Sequence, residues 1–336
     1  MQNLDKLKDI LATPKKIVIT THQKPDADAL GSSLGLWNYL QLLGHEATVI
    51  TPTDYPEFLN WMYGNSEVLI FNEKNPKKAV QLIEQAELIF CLDFSDLKRC
   101  SPLDKYIEKT TCTKVLIDHH IGYNGFADFA LWDTKAAAAS QLIFEFIDLM
   151  GHKDLINTHI ADCIYAGIMT DTGSFRFAST TSQVHRIVAQ LIDIGTDTAL
   201  IHDYIYDNQS EERTRFLGYA LKEKMVVLPQ YKTAYFVISQ SELKRYNHRT
   251  GDTEGLVNYG LSIKGIRMAV TMIEKEDCIR MSFRSFGNLS VNQLAEKYFQ
   301  GGGHKNAAGG RSDTSLKETE QKLREVLELH KDELNA

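Results

Sequence analysis

The stretch IVITTHQKPDADALGSSLGLWNYLQLLG, residues 17–44, decides the fold. Its first four residues form a short apolar, β-branched run that reads as a buried parallel strand. Residues 30–44, LGSSLGLWNYLQLLG, have helical spacing and stop at Gly44, a residue suited to ending a helix. Between strand and helix lies an acidic turn, THQKPDADALGSS (21–33), which supplies His22, Asp26 and Asp28. Strand, polar turn and helix in that order make the repeating unit of an α/β domain, and in open α/β sheets ligands gather at the carboxyl ends of the strands.

The rhythm continues outward from this unit. Further strands are expected at 47–50 (ATVI), 67–71 (EVLIF), 88–92 (LIFCL) and 115–117 (VLI), with short helices such as 76–86 between them. This predicts a parallel sheet with helices on both faces. From Ala136 to about Lys224 the pattern turns helical, over 136–150, 155–169, 182–194, 197–206 and 210–224. Strand signals return at 225–228, 233–239, 266–273 and 278–285, and a terminal helix is expected over about 315–334. A chain of 336 residues exceeds what one core serves, so two domains are expected. The second is a smaller α/β domain from about residue 230, and the cleft between the two is the expected active site.

Three more clusters resemble the first turn in chemistry. Asp93 follows LIFCL, the segment IDHHIGYN (117–124) brings Asp118, His119 and His120, and TDTGSFRF (170–177) brings Asp171. Asp171 follows IYAGIMT, which periodicity cannot assign to strand or helix. Carboxylates mixed with imidazoles suit a hard to borderline divalent ion such as Mn²⁺ better than thiolate-loving Zn²⁺. The ligands outnumber what one ion takes, and two ions roughly 3.5 to 4 Å apart share a carboxylate or water, so a pair is expected. Each residue also has an ordinary reading: Asp26 and Asp28 as helix caps, Asp93 as a loop acid, the paired histidines as incidental, Asp171 as a turn cap. Their joint occurrence at four element ends favours the metal.

In order, HQKPDADALGS, the Asp after the next buried strand, the DHH triplet and DTGSFRF resemble the four motifs of the DHH phosphoesterase superfamily. FRS (283–285) and GGGHKNAAGG (301–310) resemble the DHHA1 domain that accompanies it in one subfamily, the NrnA-type nano-RNases that also act as pAp phosphatases. The match runs from about Thr21 to Gly310. It implies that His22, Asp26 and Asp93 hold one metal and that Asp28, Asp93, His119 and Asp171 hold the second, with Asp93 as the bridge. It implies that Asp118 orients a histidine ligand and that His120 faces the scissile phosphate. The implied cofactors are two divalent ions, Mn²⁺ ahead of Mg²⁺. The implied enzyme releases nucleoside 5′-monophosphates from RNAs of a few nucleotides, or from linear dinucleotides such as pApA, by 3′-to-5′ action, and removes the 3′-phosphate of pAp to give AMP. The implied domains are a DHH catalytic domain at 1–185, a helical connector at 186–229 and a DHHA1 substrate-binding domain at 230–336.

The glycine run offers a second chemistry. Gly301, Gly302 and Gly303 present backbone N–H groups that no side chain obstructs, and His304 and Lys305 add a donor and a charge. A triple glycine also marks a plain flexible turn. With Arg284 on a strand and the resemblance to DHHA1, Arg284 and His304 are expected to grip a terminal phosphate. Phe175, Phe177, Tyr259, Phe283 and Phe286 are candidates for base stacking.

Composition narrows the partners. The net charge of −7 disfavours long duplex nucleic acid held by many phosphate contacts, yet residues 260–312 hold eight Lys/Arg against four acids, which fits a short ligand with few phosphates. Five cysteines, odd in number and without C-x-x-C spacing, point to a reducing cytosol. The start, MQNLDKLKDILATPKK, reads as an amphipathic helix rather than a signal peptide, and no apolar stretch approaches the ~20 residues a bilayer demands. A cytoplasmic protein without a membrane partner is expected, its oligomeric state open and compatible with a dimer. Alternatives are a pyrophosphatase or exopolyphosphatase, against which the absence of an SRKxQ-like run counts, a RecJ-like exonuclease on longer single strands, and a nucleotide sensor without turnover, against which the complete motif set counts.

Overall fold

The computed structural model describes residues 1, 3–74 and 76–336, so residue 2 of the expected amino-terminal helix lies outside it. The chain divides into two compact units, Met1–Asn208 and Gln209–Ala336. That division runs through the stretch expected as a connector.

The first unit contains α1 (Leu4–Leu11), β1 (Lys16–Thr20), α2 (Ala27–Leu42), β2 (Glu46–Thr51), β3 (Leu69–Ile70), α3 (Lys77–Gln85) and β4 (Leu88–Leu92). Then come α4 (Asp104–Ile107), β5 (Thr113–Asp118), β6 (Phe129–Trp132), α5 (Ala139–Met150), α6 (Thr158–Asp171), α7 (Ser182–Ile194) and α8 (Thr198–His202). The sheet order is β3-β2-β1-β4-β5-β6 and every pairing is parallel. Chain order reverses between β1 and β4, which is the switch point where α/β sheets open a crevice at their carboxyl ends. Strand pleating sends alternate side chains to opposite cores. Ile17, Ile19, Phe90, Val115 and Ile117 pack with α2, α5, α6 and α7, while Val18, Ile89, Cys91 and Leu116 pack with α3 and α4. Helices therefore cover both faces, as a parallel sheet requires.

Two glycines set how closely α2 and α6 approach. A Cβ on Gly31 would lie 2.4 Å from the Cys163 carbonyl oxygen, and one on Gly167 would lie 2.6 Å from Asp28 Oδ1. The start of α2 is thus pressed against the end of α6, and the two carboxylates at those ends, Asp28 and Asp171, share one region.

Several elements differ from expectation for local reasons. The helix expected at 30–44 begins at Ala27, because Asp26 caps it. The strand expected at 67–71 shrinks to the two residues of β3 at the sheet edge, after a 3₁₀ turn at Asn65–Glu67. The helices expected at 197–206 and 210–224 each finish in a π turn, Asp203–Asp207 and Ala220–Lys224. The four-residue β6 carried no signal of its own.

The second unit contains α9 (Glu211–Tyr219), β7 (Met225–Leu228), β8 (Thr233–Ile238), α10 (Gln240–Arg245), α11 (Leu256–Leu261), β9 (Met268–Glu274) and β10 (Ile279–Ser285). It ends with α12 (Val291–Tyr298), β11 (Gly302–His304), β12 (Ala307–Ser312), α13 (Leu316–Leu329) and α14 (Lys331–Asn335), so the expected terminal helix breaks at His330. The strand order is β11-β12-β10-β9-β8-β7, with β8 and β9 parallel and the other pairs antiparallel. Tyr235, Val270, Phe283 and Ala308 share one register row and pack with residues of α12 and α13. The next row, Ala234, Ala269, Arg284, Ala307 and His304, faces the other way, and α11 covers its alanine end through Gly260. Among the described residues no helix is long and apolar enough to cross a membrane.

Candidate metal centre

The two strands that flank the switch point and their neighbour β5 each deliver a polar residue. His22 follows β1, Asp93 follows β4, and Asp118 ends β5 with His119 and His120 directly behind it. Asp26 and Asp28 come from the start of α2, and Asp171 is the last residue of α6. The structure brings all eight together, while of the other first-unit candidates Phe175 lies against the rings of Tyr165 and His185 and Phe177 is 40% exposed.

Asp93 is the centre. It is 2% exposed, and its backbone takes a left-handed conformation with φ of 62°, a state that Asp tolerates better than most residues. Its Oδ2 lies 3.2 Å from His22 Nε2, and its Oδ1 lies 3.3 Å from His119 Nε2 and 3.4 Å from His120 Nδ1. One carboxylate thus faces three imidazoles, His22 from one motif and His119 and His120 from another, and its two oxygens point to different motifs as a bridging ligand needs.

The imidazoles are turned for coordination. His22 Nδ1 lies 2.7 Å from the Gln23 carbonyl oxygen and His119 Nδ1 lies 3.3 Å from that of Ala136. A carbonyl only accepts, so each Nδ1 is the protonated donor and each Nε2 is left toward the carboxylates. This is the carbonyl-to-imidazole support that metal-binding histidines use. Asp118 holds a different ring: its Oδ1 is 2.9 Å from Nδ1 of His120, the residue assigned to the phosphate, and not of a ligand histidine as the resemblance implied.

The capping and ligand readings of the acids coexist. Asp26 Oδ1 accepts the N–H groups of Asp28 and Ala29, both at 3.0 Å, which caps α2, while its Oδ2 lies 3.9 Å from His22 Nε2. Asp28 caps another helix: its Oδ2 accepts from Ala139 N at 2.6 Å and its Oδ1 from Ser140 N at 2.8 Å, at the start of α5. The positive end of that helix supports the charge, and Asp28 Oδ2 stays 3.7 Å from His119 Nε2. Asp171 Oδ2 is 3.4 Å from the same nitrogen. Ala139 and Ser140 carried no signal in the sequence, since they act through backbone amides.

The charges are frustrated without a cation. Burial and the Asp93 charge push Asp28 up to about 7, and the same two causes push Asp118 up to about 7. Burial and the Asp28 and Asp26 charges hold Asp171 well above the ordinary carboxylate range. Burial opposes charge on His119, yet Asp93, Asp171 and Asp28 around it hold it up at about 10. His22 is also raised, because Asp93 and Asp26 outweigh its burial. Burial acts against the charge on Asp93 too, and the adjacent His119 and His22 hold it well below the usual value.

The donor set fits divalent cations. His22, Asp26 and Asp93 each offer a ligand atom within 4.8 Å of the others, as do Asp28, His119 and Asp171. Asp93 Oδ1 and Asp118 Oδ2 are buried and make no hydrogen bond among the described residues. Such buried acceptors are costly unless an ion or water fills them. Oxygen with a minority of nitrogen and no thiolate suits Mn²⁺ or Mg²⁺.

The expected phosphate grip of the second unit has another character. The glycine run is not an open loop, because Gly302–His304 pair antiparallel with β12 as an edge strand. The Gly301 N–H is donated to the Ala295 carbonyl oxygen at 3.1 Å, and a Cβ on Gly301 would lie 2.1 Å from the Gly309 carbonyl oxygen. Gly303 has φ of 146°, and its Cβ would lie 2.6 Å from the Ala307 carbonyl oxygen. Close approach of β12 accounts for both glycines. Arg284 and His304 remain together: they share a register row with only Ala307 between them, so their side chains leave the sheet on one face. Arg284 Nη1 donates to the Phe283 carbonyl oxygen at 3.1 Å.

Comparison with known proteins matches both units. Residues 16–168 match the DHH family, N-terminal domain, and residues 231–336 match the DHHA1 domain. The bifunctional oligoribonuclease and PAP phosphatase NrnA of Thermus thermophilus is 31% identical, over 95% of this chain and 90% of its own. The protein of the same name from Bacillus subtilis is 30% identical, over 87% of this chain and 88% of its own. Among solved structures, an exopolyphosphatase-related protein from Bacteroides fragilis superimposes with a TM-score of 0.93 at 34% identity, covering 99% of this chain and 97% of that one.

Proposed function

The chain belongs to the DHH family and carries a DHHA1 domain, and from that premise we propose that it is a metal-dependent phosphoesterase that cleaves RNAs of a few nucleotides to nucleoside 5′-monophosphates and converts pAp to AMP. The observation that carries the reading is the pair of ligand triads joined at Asp93.

In this reading His22, Asp26 and Asp93 hold one divalent ion and Asp28, Asp93, His119 and Asp171 hold the second. The ions, Mn²⁺ ahead of Mg²⁺, supply Lewis acidity at the phosphoryl oxygens and lower the pKa of water. His120 acts in this reading with both ring nitrogens protonated, Nδ1 donating to Asp118 and Nε2 to a phosphoryl oxygen, where it stabilises the charge that develops. The water oxygen bonds to phosphorus and gives up one proton to solvent, the bond from phosphorus to the 3′-oxygen breaks, and a proton from solvent completes the leaving hydroxyl. Burial of His22, Asp28, Asp93, His119 and His120 keeps bulk water from competing for these contacts.

Arg284 and His304 are assigned to the substrate's terminal phosphate, where a guanidinium gives paired hydrogen bonds to oxyanions. Catalysis is assigned to residues 1–185, substrate binding to 230–336 and linkage to 186–229. A chain with net charge −7 and no membrane-crossing helix among the described residues fits a short, few-phosphate substrate in the cytoplasm.

The test is a side-by-side assay of pAp, pApA, a short RNA and pyrophosphate with Mn²⁺, with Mg²⁺ and with chelator. AMP from pAp and pApA that vanishes with chelator supports the reading. Phosphate release from pyrophosphate alone points to the phosphoanhydride reading, and binding without turnover points to a sensor.

A further inference from the structure

His120 stands at the head of a loop, residues 121–126, whose composition gives it little rigidity. Gly122 and Gly125 both have positive φ, 87° and 81°, and a Cβ at either would meet nothing within 4 Å. The backbone of His120 therefore depends on side chains from outside the loop to fix it.

Two such side chains are present and they hold consecutive carbonyls. Trp132, the last residue of β6, pairs in register with Asp118, and its indole Nε1 donates to the His120 carbonyl oxygen at 2.6 Å. Ser95, two residues beyond Asp93, donates its hydroxyl to the Ile121 carbonyl oxygen at 2.9 Å. The residue just after β6, Asp133, donates its N–H to the Asp118 carbonyl oxygen at 3.2 Å. A line of rings, Trp132 to Tyr123 at 5.6 Å, Tyr123 to Phe126 at 5.8 Å and Phe126 to Phe94 at 6.3 Å, runs from this edge to the residue beside Asp93. Trp132 is 42% exposed, so burial of its ring is a minor gain, and the polar tip is the part in use.

We propose that Trp132 and Ser95 are positioning residues that clamp the His120 backbone from either side, while Asp118 fixes its ring, so that the remaining ring nitrogen keeps one direction toward the reacting phosphate. The inference rests on the phosphoesterase reading for the role of His120. Neither side chain is a metal ligand, so each acts on turnover and not on metal uptake. Misplacement of a catalytic group by about 1 Å lowers rates by up to roughly 100-fold.

The test uses the full chain with Trp132→Phe, which keeps a ring and removes the N–H, and with Ser95→Ala. In AMP release from pApA with Mn²⁺, each variant is expected to lose about tenfold in kcat with KM and Mn²⁺ affinity unchanged. The double variant should lose less than the product of the two, because both hold one segment. In ¹³C-histidine NMR of the Mg²⁺-loaded protein, the His120 ring signals should move or broaden in either variant while those of His22 and His119 stay. Unchanged kcat with unmoved His120 signals overturns the clamp, and so does a loss of kcat matched by an equal loss of metal affinity. If the wild type releases no AMP from any substrate, the phosphoesterase reading fails, and the His120 signals still decide the clamp.

Discussion

The two units use their signature residues in opposite ways. In the first, the polar residues of four short motifs converge on Asp93, and the described residues compensate their charges only in part, leaving Asp28 and Asp171 raised. In the second, two of the three glycines that look made for a phosphate instead let β12 pass close to their backbone, while Arg284 and His304 leave the sheet on one face. A carboxylate buried among carboxylates has no cheap structural explanation, because desolvated like charges are costly. A glycine has two explanations, and only the position of its missing Cβ separates them.

The contrast is broken most directly at Asp93. Asp93→Asn keeps a residue that accepts φ of 62°, so the fold should persist, while turnover of pApA should fall by at least about 1000-fold, or roughly 4 kcal/mol at 1.36 kcal/mol per decade. Steady-state AMP release together with far-UV circular dichroism checks both halves. In the second unit, Arg284→Gln should raise KM for pAp by about 10-fold or more with kcat changed only a few-fold, since it removes binding and no reacting group. If Arg284→Gln instead abolished kcat, the division of labour between the units would be wrong.

Glycine substitutions sharpen the comparison. Gly31→Ala drives a Cβ to 2.4 Å from a backbone oxygen, and Gly303→Ala meets one at 2.6 Å, so each should destabilise its own unit by about 1–3 kcal/mol in denaturant titrations. Were Gly303→Ala to leave stability intact and weaken pAp binding, the open cradle would return.

The smallest effect is the pH response of the metal-free chain. Asp28 and Asp118 are raised, so the fold favours their protonated forms, and the stability this gives is lost as pH climbs from the ordinary carboxylate value to about 7. His119 is raised to about 10, so its contribution is full below the ordinary imidazole value and is lost as pH rises through that folded value. The signs agree: thermal melts in chelator should fall in Tm from about pH 5 to about pH 9. Mn²⁺ affinity, which depends on release of those protons, should rise over the same interval by calorimetry.

Much of the site was legible because each residue stands at a strand or helix end, where side-chain chemistry and position in the sheet coincide. Asp26 shows the limit, since capping and facing the site proved to be the work of different oxygens on one carboxylate. The helical origin of Asp171 was hidden by an apolar run that suits strand and helix alike. The partner of Asp118 was misjudged between two adjacent histidines, a matter of ring direction that no spacing encodes. Ala136, Ala139 and Ser140 act through backbone groups, and β6 is four residues long, so neither left a pattern to read.

Anomalous scattering at the manganese edge from crystals grown with Mn²⁺ tests the central claim most directly. The account predicts two peaks that share Asp93, one contacted by His22 and Asp26 and the other by Asp28, His119 and Asp171. No peak in this cluster, or a single one that leaves Asp93 uncoordinated, would contradict it.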